Sequence, residues 1–181
     1  MDQVFAPWRI EWVERESGSD YEECVFCELP ERDPDRDHYY LAGSERVYVV
    51  LNNYPYNPGH AMVIPRQHTG DYRELGVETL GEKERLLQRT IDAMEEALDP
   101  DGYNVGYNLG SSAAGGSIGD HLHAHVVPRW EGDTNFMPTV AETKVIVEAV
   151  ADTYDRLHDA FSAQGGTRAE SPESAVVVTD P

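Results

Sequence analysis

The sequence predicts an α+β fold in which an antiparallel sheet is covered by two main helices. Short segments rich in β-branched and aromatic residues are bounded by Gly, Pro and Asn, which is typical of strands. Two longer segments place apolar residues at three- and four-residue steps, which is the period of a helix. Because strands and helices do not alternate regularly, a parallel α/β sheet is disfavoured.

The predicted strands form two pairs. Residues 46–52 and 60–66 flank a loop rich in Pro, Gly and Asn, which indicates an antiparallel hairpin. Residues 103–109 and 121–128 flank a loop of small residues, 110–120.

The predicted helices span residues 79–100 and 142–163. Thr79 and Glu82 have the spacing of a capping box at the start of the first helix. Each helix carries an apolar stripe that predicts a buried face. The stripes consist of Leu87, Ile91, Met94 and Leu98 in the first helix, and of Val147, Val150, Tyr154, Leu157 and Phe161 in the second.

The chain of 181 residues is expected to form one domain over residues 1–163. Residues 164–181 are polar and aperiodic, which predicts a disordered tail. Within that tail, the run "AVVVT" could instead add an edge strand.

Charge makes two classes of partner improbable. The chain has 34 acidic and 14 basic residues, a net charge of −20, and its sequence has no cluster of Lys and Arg. Such a surface repels nucleic-acid phosphates and anionic membranes, so neither is an expected partner. We hypothesise a salt-rich cytosol, where screening makes the self-repulsion tolerable.

The expected location is the cytoplasm. No run of 18 apolar residues is present, which disfavours a membrane span. The first residues, "MDQVFAPWRIEWVERESG", include acidic side chains and lack the continuous apolar stretch of a secretory signal.

The two cysteines, Cys24 and Cys27, form the motif "CVFC". In a cytoplasmic chain this spacing indicates half of a zinc site or a redox pair. A chance pair of buried thiols is the alternative.

Three of the seven histidines, His121, His123 and His125, occupy alternate positions of the last predicted strand. Alternate residues of a strand point to the same face, so the three imidazoles should project together while Leu122 and Ala124 face the core. Such a row could bind a metal, supply a nucleophile, or form a polar face without a role.

The surrounding motifs resemble those of the histidine triad (HIT) family. They are "LNNYPYNPGHAMVIPRQH", "NVGYNLG" and "HLHAHVVPRW". Together with "APWRIEWV", C-x-F-C and "VPRWEGDTNFMPT", they are similar to a branch of diadenosine tetraphosphate phosphorylases and hydrolases, over roughly residues 4–160. The resemblance implies a HIT-like antiparallel sheet of about five strands and a homodimer with one continuous sheet.

The resemblance also implies the catalytic residues. His123 matches the nucleophile that attacks the α-phosphorus of a nucleotide. His125 matches a donor to the phosphate oxygens or the leaving group. His60 matches an upstream histidine at the α-phosphate site.

The implied substrate contacts are amides and backbone N–H groups. Asn52 matches a ribose-contacting position and Asn108 a phosphate-contacting one, although either could be a turn residue. Gly116 and Ser117 match a loop that brings backbone N–H groups to phosphate oxygens. Many relatives have Gln where Ser117 stands; serine can donate one hydrogen bond but has a shorter side chain. Arg129 and Lys144 are candidate local cations.

In relatives with C-x-x-C, zinc is bound by the two cysteines and two histidines. By motif position these are Cys24, Cys27, His68 and His121. Four protein ligands leave no open position, so the zinc would be structural. No organic cofactor is implied.

The expected function is therefore cleavage of dinucleoside polyphosphates, with diadenosine tetraphosphate as the first candidate, through a nucleotidyl-histidine. Either water or inorganic phosphate could be the acceptor. The alternatives are hydrolysis of nucleoside phosphoramidates or other nucleotide conjugates, a nucleotide-binding protein without turnover, and a metalloenzyme that uses all three histidines as ligands.

Overall fold

A computed structural model of the chain describes residues 24–32, 35–110, 112–114, 118–133 and 148–181. Its helices are α1 (Val25–Glu28), α2 (Val77–Leu98) and α3 (Val150–Ser162), with short 3-10 turns at Tyr72–Glu74 and Ser112–Ala114. Among the described residues, no helix has the length and apolar character needed to cross a bilayer.

Within these described ranges, the strands form one seven-stranded sheet in the order β4-β5-β3-β2-β1-β7-β6. They are β1 (Tyr40–Gly43), β2 (Val47–Leu51), β3 (Ala61–Pro65), β4 (Gly102–Gly106), β5 (Ala124–Arg129), β6 (Thr167–Arg168) and β7 (Val176–Val178). Pairing is antiparallel from β4 to β1, whereas β7 joins β1 in parallel. The α+β prediction is confirmed, with a mixed sheet that has two strands more than expected.

The helices α2 and α3 pack on one face of the sheet. Side chains of β2 alternate, so Val47, Val49 and Leu51 face these helices while Tyr48 and Val50 face the other side. The stripe predicted for the second helix is confirmed at Tyr154, Leu157 and Phe161, which are fully buried. Val147 lies outside the described residues.

The helix α2 begins at Val77, and its N-cap is Gly76 rather than Thr79. The predicted capping box is wrong because Glu82 binds elsewhere. Its buried carboxylate accepts hydrogen bonds from Ser44 Oγ at 2.6 Å and from the Arg46 N–H at 2.7 Å. Glu82 therefore ties α2 to the turn between β1 and β2.

Residues 164–181 contain the strands β6 and β7, where the sequence predicted a disordered tail in which "AVVVT" could add an edge strand. Val176 is fully buried and Val178 is 3% exposed, and both join the core on the helix side of the sheet. The outer edge of β1 supplies the ladder partners that a three-residue apolar run lacks by itself. The strands β7 and β6 therefore extend the sheet beyond β1.

Candidate functional site

The segment that carries the three histidines, residues 121–125, lies on the face of the sheet opposite α2 and α3. The strand β5 starts at Ala124, three residues later than predicted, because the Leu122 N–H donates to Thr69 O at 2.8 Å instead of to a neighbouring strand. The alternation nevertheless holds. Leu122 and Ala124 are buried in the core, and the rings of His123 and His125 meet with centroids 4.9 Å apart.

Backbone contacts determine which nitrogen of His123 carries the proton. Its Nδ1 lies 2.9 Å from His121 O, and a carbonyl oxygen can only accept, so Nδ1 is the donor. In the neutral ring the lone pair is then on Nε2. The side chain is 7% exposed. This arrangement presents a fixed imidazole with a basic nitrogen directed away from its anchoring carbonyl.

A second chain of contacts orients His60 and His125. The Tyr56 N–H donates to His60 Nδ1 at 3.1 Å, so Nε2 of a neutral His60 carries the proton and donates to His125 Nδ1 at 3.0 Å. The same logic leaves the proton of a neutral His125 on Nε2. The Tyr56 ring also stacks on His60, with centroids 4.7 Å apart. His125 can therefore act as an N–H donor beside the basic nitrogen of His123.

The two predicted amide contacts occupy different surroundings. The Asn108 amide follows β4, and its Nδ2 lies 3.4 Å from His125 Nε2. Asn52 is buried, and its Oδ1 accepts from the Tyr54 N–H at 2.9 Å, which is the geometry of a turn. Asn108 thus lies in the histidine cluster, whereas the oxygen of Asn52 already has a backbone partner.

Of the remaining predicted contacts, Gly116, Ser117 and Lys144 lie outside the described residues. Arg129 is occupied by other groups. It donates to Asp133 from Nε at 2.5 Å and to Asn104 from Nη1 at 2.5 Å. A guanidinium already paired with a carboxylate is a poor phosphate-binding cation, so this candidate role is not supported.

Cys24, Cys27, His68 and His121 come together at the end of the histidine segment. Their ligand atoms all lie within 4.8 Å of one another. The Cys27 Sγ is 3.0 Å from His68 Nδ1 and 3.5 Å from His121 Nδ1, and Cys24 Sγ is 3.4 Å from His121 Nδ1. These four residues are positioned to bind a metal.

The donor set fits a tetrahedral ion. Zinc bonds of about 2.3 Å to sulfur and about 2.0 Å to nitrogen place the two ligands about 3.5 Å apart at tetrahedral angles, close to both distances from His121. The other ring nitrogen of His121, Nε2, donates to Pro65 O at 2.8 Å, which leaves Nδ1 available to a metal. Burial lowers the pKa of His121, which favours the neutral form that metals bind.

Sequence reasoning did not identify two contributors to this site. Phe26, between the cysteines, is 3% exposed, and its ring lies 5.6 Å from that of His121 and 5.1 Å from that of His123. The C-x-F-C motif was a usable signal for it. The backbone N–H of Tyr56, by contrast, has no sequence signature, because every residue except proline carries such a donor.

A family model, the HIT domain, matches residues 35–132. The chain belongs to the HIT family. Among HIT relatives, it is 38% identical over 159 residues to the AP-4-A phosphorylase of Mycobacterium tuberculosis, covering 84% of this chain and 80% of that protein. It is 30% identical over 106 residues to the adenosine 5'-monophosphoramidase of Schizosaccharomyces pombe, covering 59% of this chain and 74% of that protein.

A solved HIT structure resembles the fold. The zinc-bound histidine triad family protein from Mycobacterium smegmatis superposes with a TM-score of 0.62 at 29% identity, covering 77% of this chain and 94% of that chain. The HIT assignment supports a nucleotide hydrolase or transferase of this type, in agreement with the expectation from the sequence.

Proposed function

We propose that this HIT protein cleaves dinucleoside polyphosphates, diadenosine tetraphosphate first among them, through a nucleotidyl group on His123. The carrying observation is the 2.9 Å contact between His123 Nδ1 and His121 O, which leaves the basic nitrogen of the ring on the opposite side. The identity of 38% to an AP-4-A phosphorylase over most of both chains supports the substrate.

In the proposed first step, the lone pair on His123 Nε2 attacks an α-phosphorus. A P–N bond forms as the bond from phosphorus to the bridging oxygen breaks, and ATP leaves. His125 donates a hydrogen bond from Nε2–H to that leaving oxygen and so stabilises the charge that develops there, while it keeps its proton. His60 holds His125 in this tautomer because its own Nδ1 accepts from the Tyr56 N–H.

In the second step, the acceptor attacks the same phosphorus and the P–N bond breaks. Water yields AMP, and inorganic phosphate yields ADP. As the P–N bond breaks, the electron pair returns to Nε2 of His123, and a water acceptor releases its surplus proton to solvent while His125 keeps its own proton. Both acceptors use the same residues of this chain. Turnover measured with and without phosphate distinguishes them.

Asn108 is proposed to contact the phosphates, supported by its position beside His125. Gly116 and Ser117 are proposed to offer backbone N–H groups to the same oxygens. For Asn52, one side-chain N–H is the proposed ribose donor, because the amide oxygen accepts from Tyr54 and Nδ2 also donates to Met62 Sδ at 3.9 Å. These neutral donors suit a chain with a net charge of −20 that must bind an anion.

We also propose a structural zinc bound by Cys24, Cys27, His68 and His121, and no organic cofactor. Its chemistry would be to hold four deprotonated or neutral ligands in one closed tetrahedron. The donor set and the 3.4–3.5 Å separations between His121 Nδ1 and the two sulfurs support it. Such an ion would fix His121, and hence the carbonyl that anchors His123.

The proposed assembly is a homodimer through the edge of β4. Among the described residues this strand ends the sheet, and Val105 and Leu109 on or beside it are 45% and 47% exposed. An unpaired edge with apolar side chains favours pairing with a second copy. The proposed location is a salt-rich cytoplasm, supported by the net charge of −20.

A second candidate is hydrolysis of nucleoside phosphoramidates, favoured by the similarity to the Schizosaccharomyces pombe phosphoramidase. The same nucleophile would attack, and an amine would leave in place of a polyphosphate. Because an amine must be protonated as it leaves, this reaction needs His125 as donor at least as strongly.

The experiment is to incubate the protein at high salt with diadenosine tetraphosphate or an adenosine phosphoramidate, with and without phosphate, and to separate the nucleotides. Mass spectrometry of quenched turnover should find an adenylyl group on His123, and His123→Ala should abolish it. His38→Ala is the matched control, because His38 pairs with Asp35 rather than with the histidine cluster. Turnover by His123→Ala would overturn the proposal.

A further inference from the structure

One of the two lysines of the chain, Lys83, is buried inside the domain. Its side chain is only 1% exposed. This is unexpected on a helix of a strongly acidic protein, because an exposed lysine would be attracted to the negative surface. Lysine is almost never fully buried unless its charge is paired, so a specific arrangement must compensate the lost hydration. The mechanism proposed above does not use this residue.

The ammonium of Lys83 lies against two tyrosines. Its Nζ is 5.7 Å from the ring centroid of Tyr72 and 5.1 Å from that of Tyr107, and the two rings meet edge to face at 5.3 Å. Nζ also donates hydrogen bonds to Tyr107 Oη and to Glu84. We call Lys83, Tyr72 and Tyr107 the lysine–tyrosine cluster.

Lys83 remains positively charged within the lysine–tyrosine cluster. Burial lowers the pKa of Lys83, but the hydrogen bonds to Glu84 and Tyr107 outweigh it and raise the pKa above the ordinary value. The ammonium therefore remains a donor to Tyr107 Oη near neutral pH. A charged donor makes a hydrogen bond stronger than a neutral one does.

Tyr107 is the residue immediately before Asn108. The ladder between β4 and β5 ends at the pair Gly106–His125, so Tyr107 and Asn108 lie beyond its last rung. Fixing the Tyr107 side chain on α2 supplies an anchor where that ladder stops. One residue later, the Asn108 amide is 3.4 Å from His125 Nε2.

We propose that Lys83 and Tyr107 are positioning residues for the nucleotidyl transfer. Their hydrogen bond holds the chain at the start of the loop, so that the Asn108 amide stays beside His125 Nε2, where the leaving oxygen would be. This inference rests on the proposed function of His123 and His125. It adds a requirement at the hydroxyl of Tyr107, which accepts a hydrogen bond from Lys83.

The test is a double-mutant cycle between Tyr107→Phe and Asn108→Ala. Tyr107→Phe keeps the ring and removes only the hydroxyl, and it should lower kcat about tenfold with a smaller change in KM. In the Asn108→Ala background the same substitution should change kcat by less than about twofold, because the group being positioned is gone. A merely structural tyrosine would cost the same factor in both backgrounds, which would overturn the proposal.

Two further variants separate positioning from folding. Lys83→Met combined with Tyr107→Phe removes the buried charge together with its acceptor, and it should reproduce the loss of kcat in a protein whose Tm shows it folded. Glu84→Gln is the matched control, because it removes the half-exposed partner of the same ammonium and leaves Tyr107 in place. Wild-type kcat in the Lys83→Met, Tyr107→Phe protein would also refute the inference.

Failure of the proposed function gives a different result. If the wild-type protein turns over no nucleotide, the cycle is measured on the affinity for AMP instead. Loss of affinity in Tyr107→Phe that disappears in the Asn108→Ala background supports the positioning role, and equal losses in both backgrounds overturn it.

Discussion

The carbonyl oxygen of His121 accepts a hydrogen bond from His123 Nδ1 at 2.9 Å. The ring of the same His121 directs its own Nδ1 at the sulfurs of Cys24 and Cys27. One residue thus belongs to both the metal-ligand set and the orientation of the imidazole proposed as nucleophile. A shift of the His121 backbone would therefore disturb both the candidate metal-ligand set and the carbonyl that fixes the tautomer of His123.

Loss of the proposed zinc should therefore reduce both the thermal stability of the protein and its turnover of nucleotide. Cys24→Ser removes one of the four ligands, and we expect the zinc content to fall from about one per chain toward zero. Metal analysis and Tm measure the binding directly. His38→Ala should keep the metal, and an unchanged zinc content in Cys24→Ser would contradict the ligand assignment.

His60→Ala should slow turnover by a factor of about 10² or more, since an oriented proton donor contributes about 10²–10⁴. The reason is that His60 Nε2 donates to His125 Nδ1 at 3.0 Å and so keeps the proton of His125 on Nε2. With an adenylyl ester of an acidic phenol, which leaves without protonation, the loss should be much smaller. Equal losses on the two substrates would show that His60 does not serve the leaving group.

Gly70→Ala should destabilise the protein by about 1–3 kcal/mol, the usual cost of overpacking. A Cβ at Gly70 would lie 2.5 Å from Gly119 O, where the segment after His68 runs against the segment before His121. Chemical denaturation measures the change. Gly81→Ala is the control, because its Cβ would meet only the end of Arg85 at 3.6 Å and alanine favours a helix.

Asp133 should make stability depend on pH in the acid range. Hydrogen bonds from Arg129 lower its pKa from 3.8 to about 2, with help from the Trp130 N–H and Asn57. A lowered folded-state pKa means that the contribution is complete above the unfolded-state pKa and is lost as pH falls toward about 2. The difference in unfolding free energy between wild type and Asp133→Asn should therefore shrink between pH 4 and 2, and a constant difference would contradict this.

Salt should stabilise the chain. With a net charge of −20, repulsion between acidic side chains opposes the compact state, and added ions screen it. We expect the Tm to rise continuously from low to molar KCl. A Tm that stays constant across this range would contradict the proposal of a salt-rich cytosol.

Much of the fold followed from local pattern, because the core strands are bounded by turn residues and both main helices have the period of a buried stripe, although the cap predicted for the first helix was wrong. The strand predicted over 46–52 is found at Val47–Leu51, and that over 60–66 at Ala61–Pro65. Residues 176–178 were less clear, since a short apolar run becomes a strand only when an edge such as that of β1 accepts it. No local pattern contains that edge.

In the candidate site, too, some residues could be predicted from sequence motifs, whereas others depend on tertiary packing. Motif resemblance brought together Cys27 and His68, far apart in sequence, and the structure places their ligand atoms 3.0 Å apart. The burial of Lys83 could not be predicted from the sequence, because a lysine on a helix is ordinarily exposed. Only the packing of Tyr72 and Tyr107 against it, seen in the structure, shows that it is buried. Its environment depends on tertiary packing rather than on neighbours in sequence.

The parallel pairing of β7 with β1 has a consequence for biosynthesis. The strand β1 emerges from the ribosome early, but its partner β7 is made only after β2 to β6 and both long helices. Until then the outer edge of β1 has no ladder partner from β7, and an exposed edge is a template for association with other nascent chains. Chaperone dependence during translation is therefore expected to concentrate on this edge, and to end when β7 closes it.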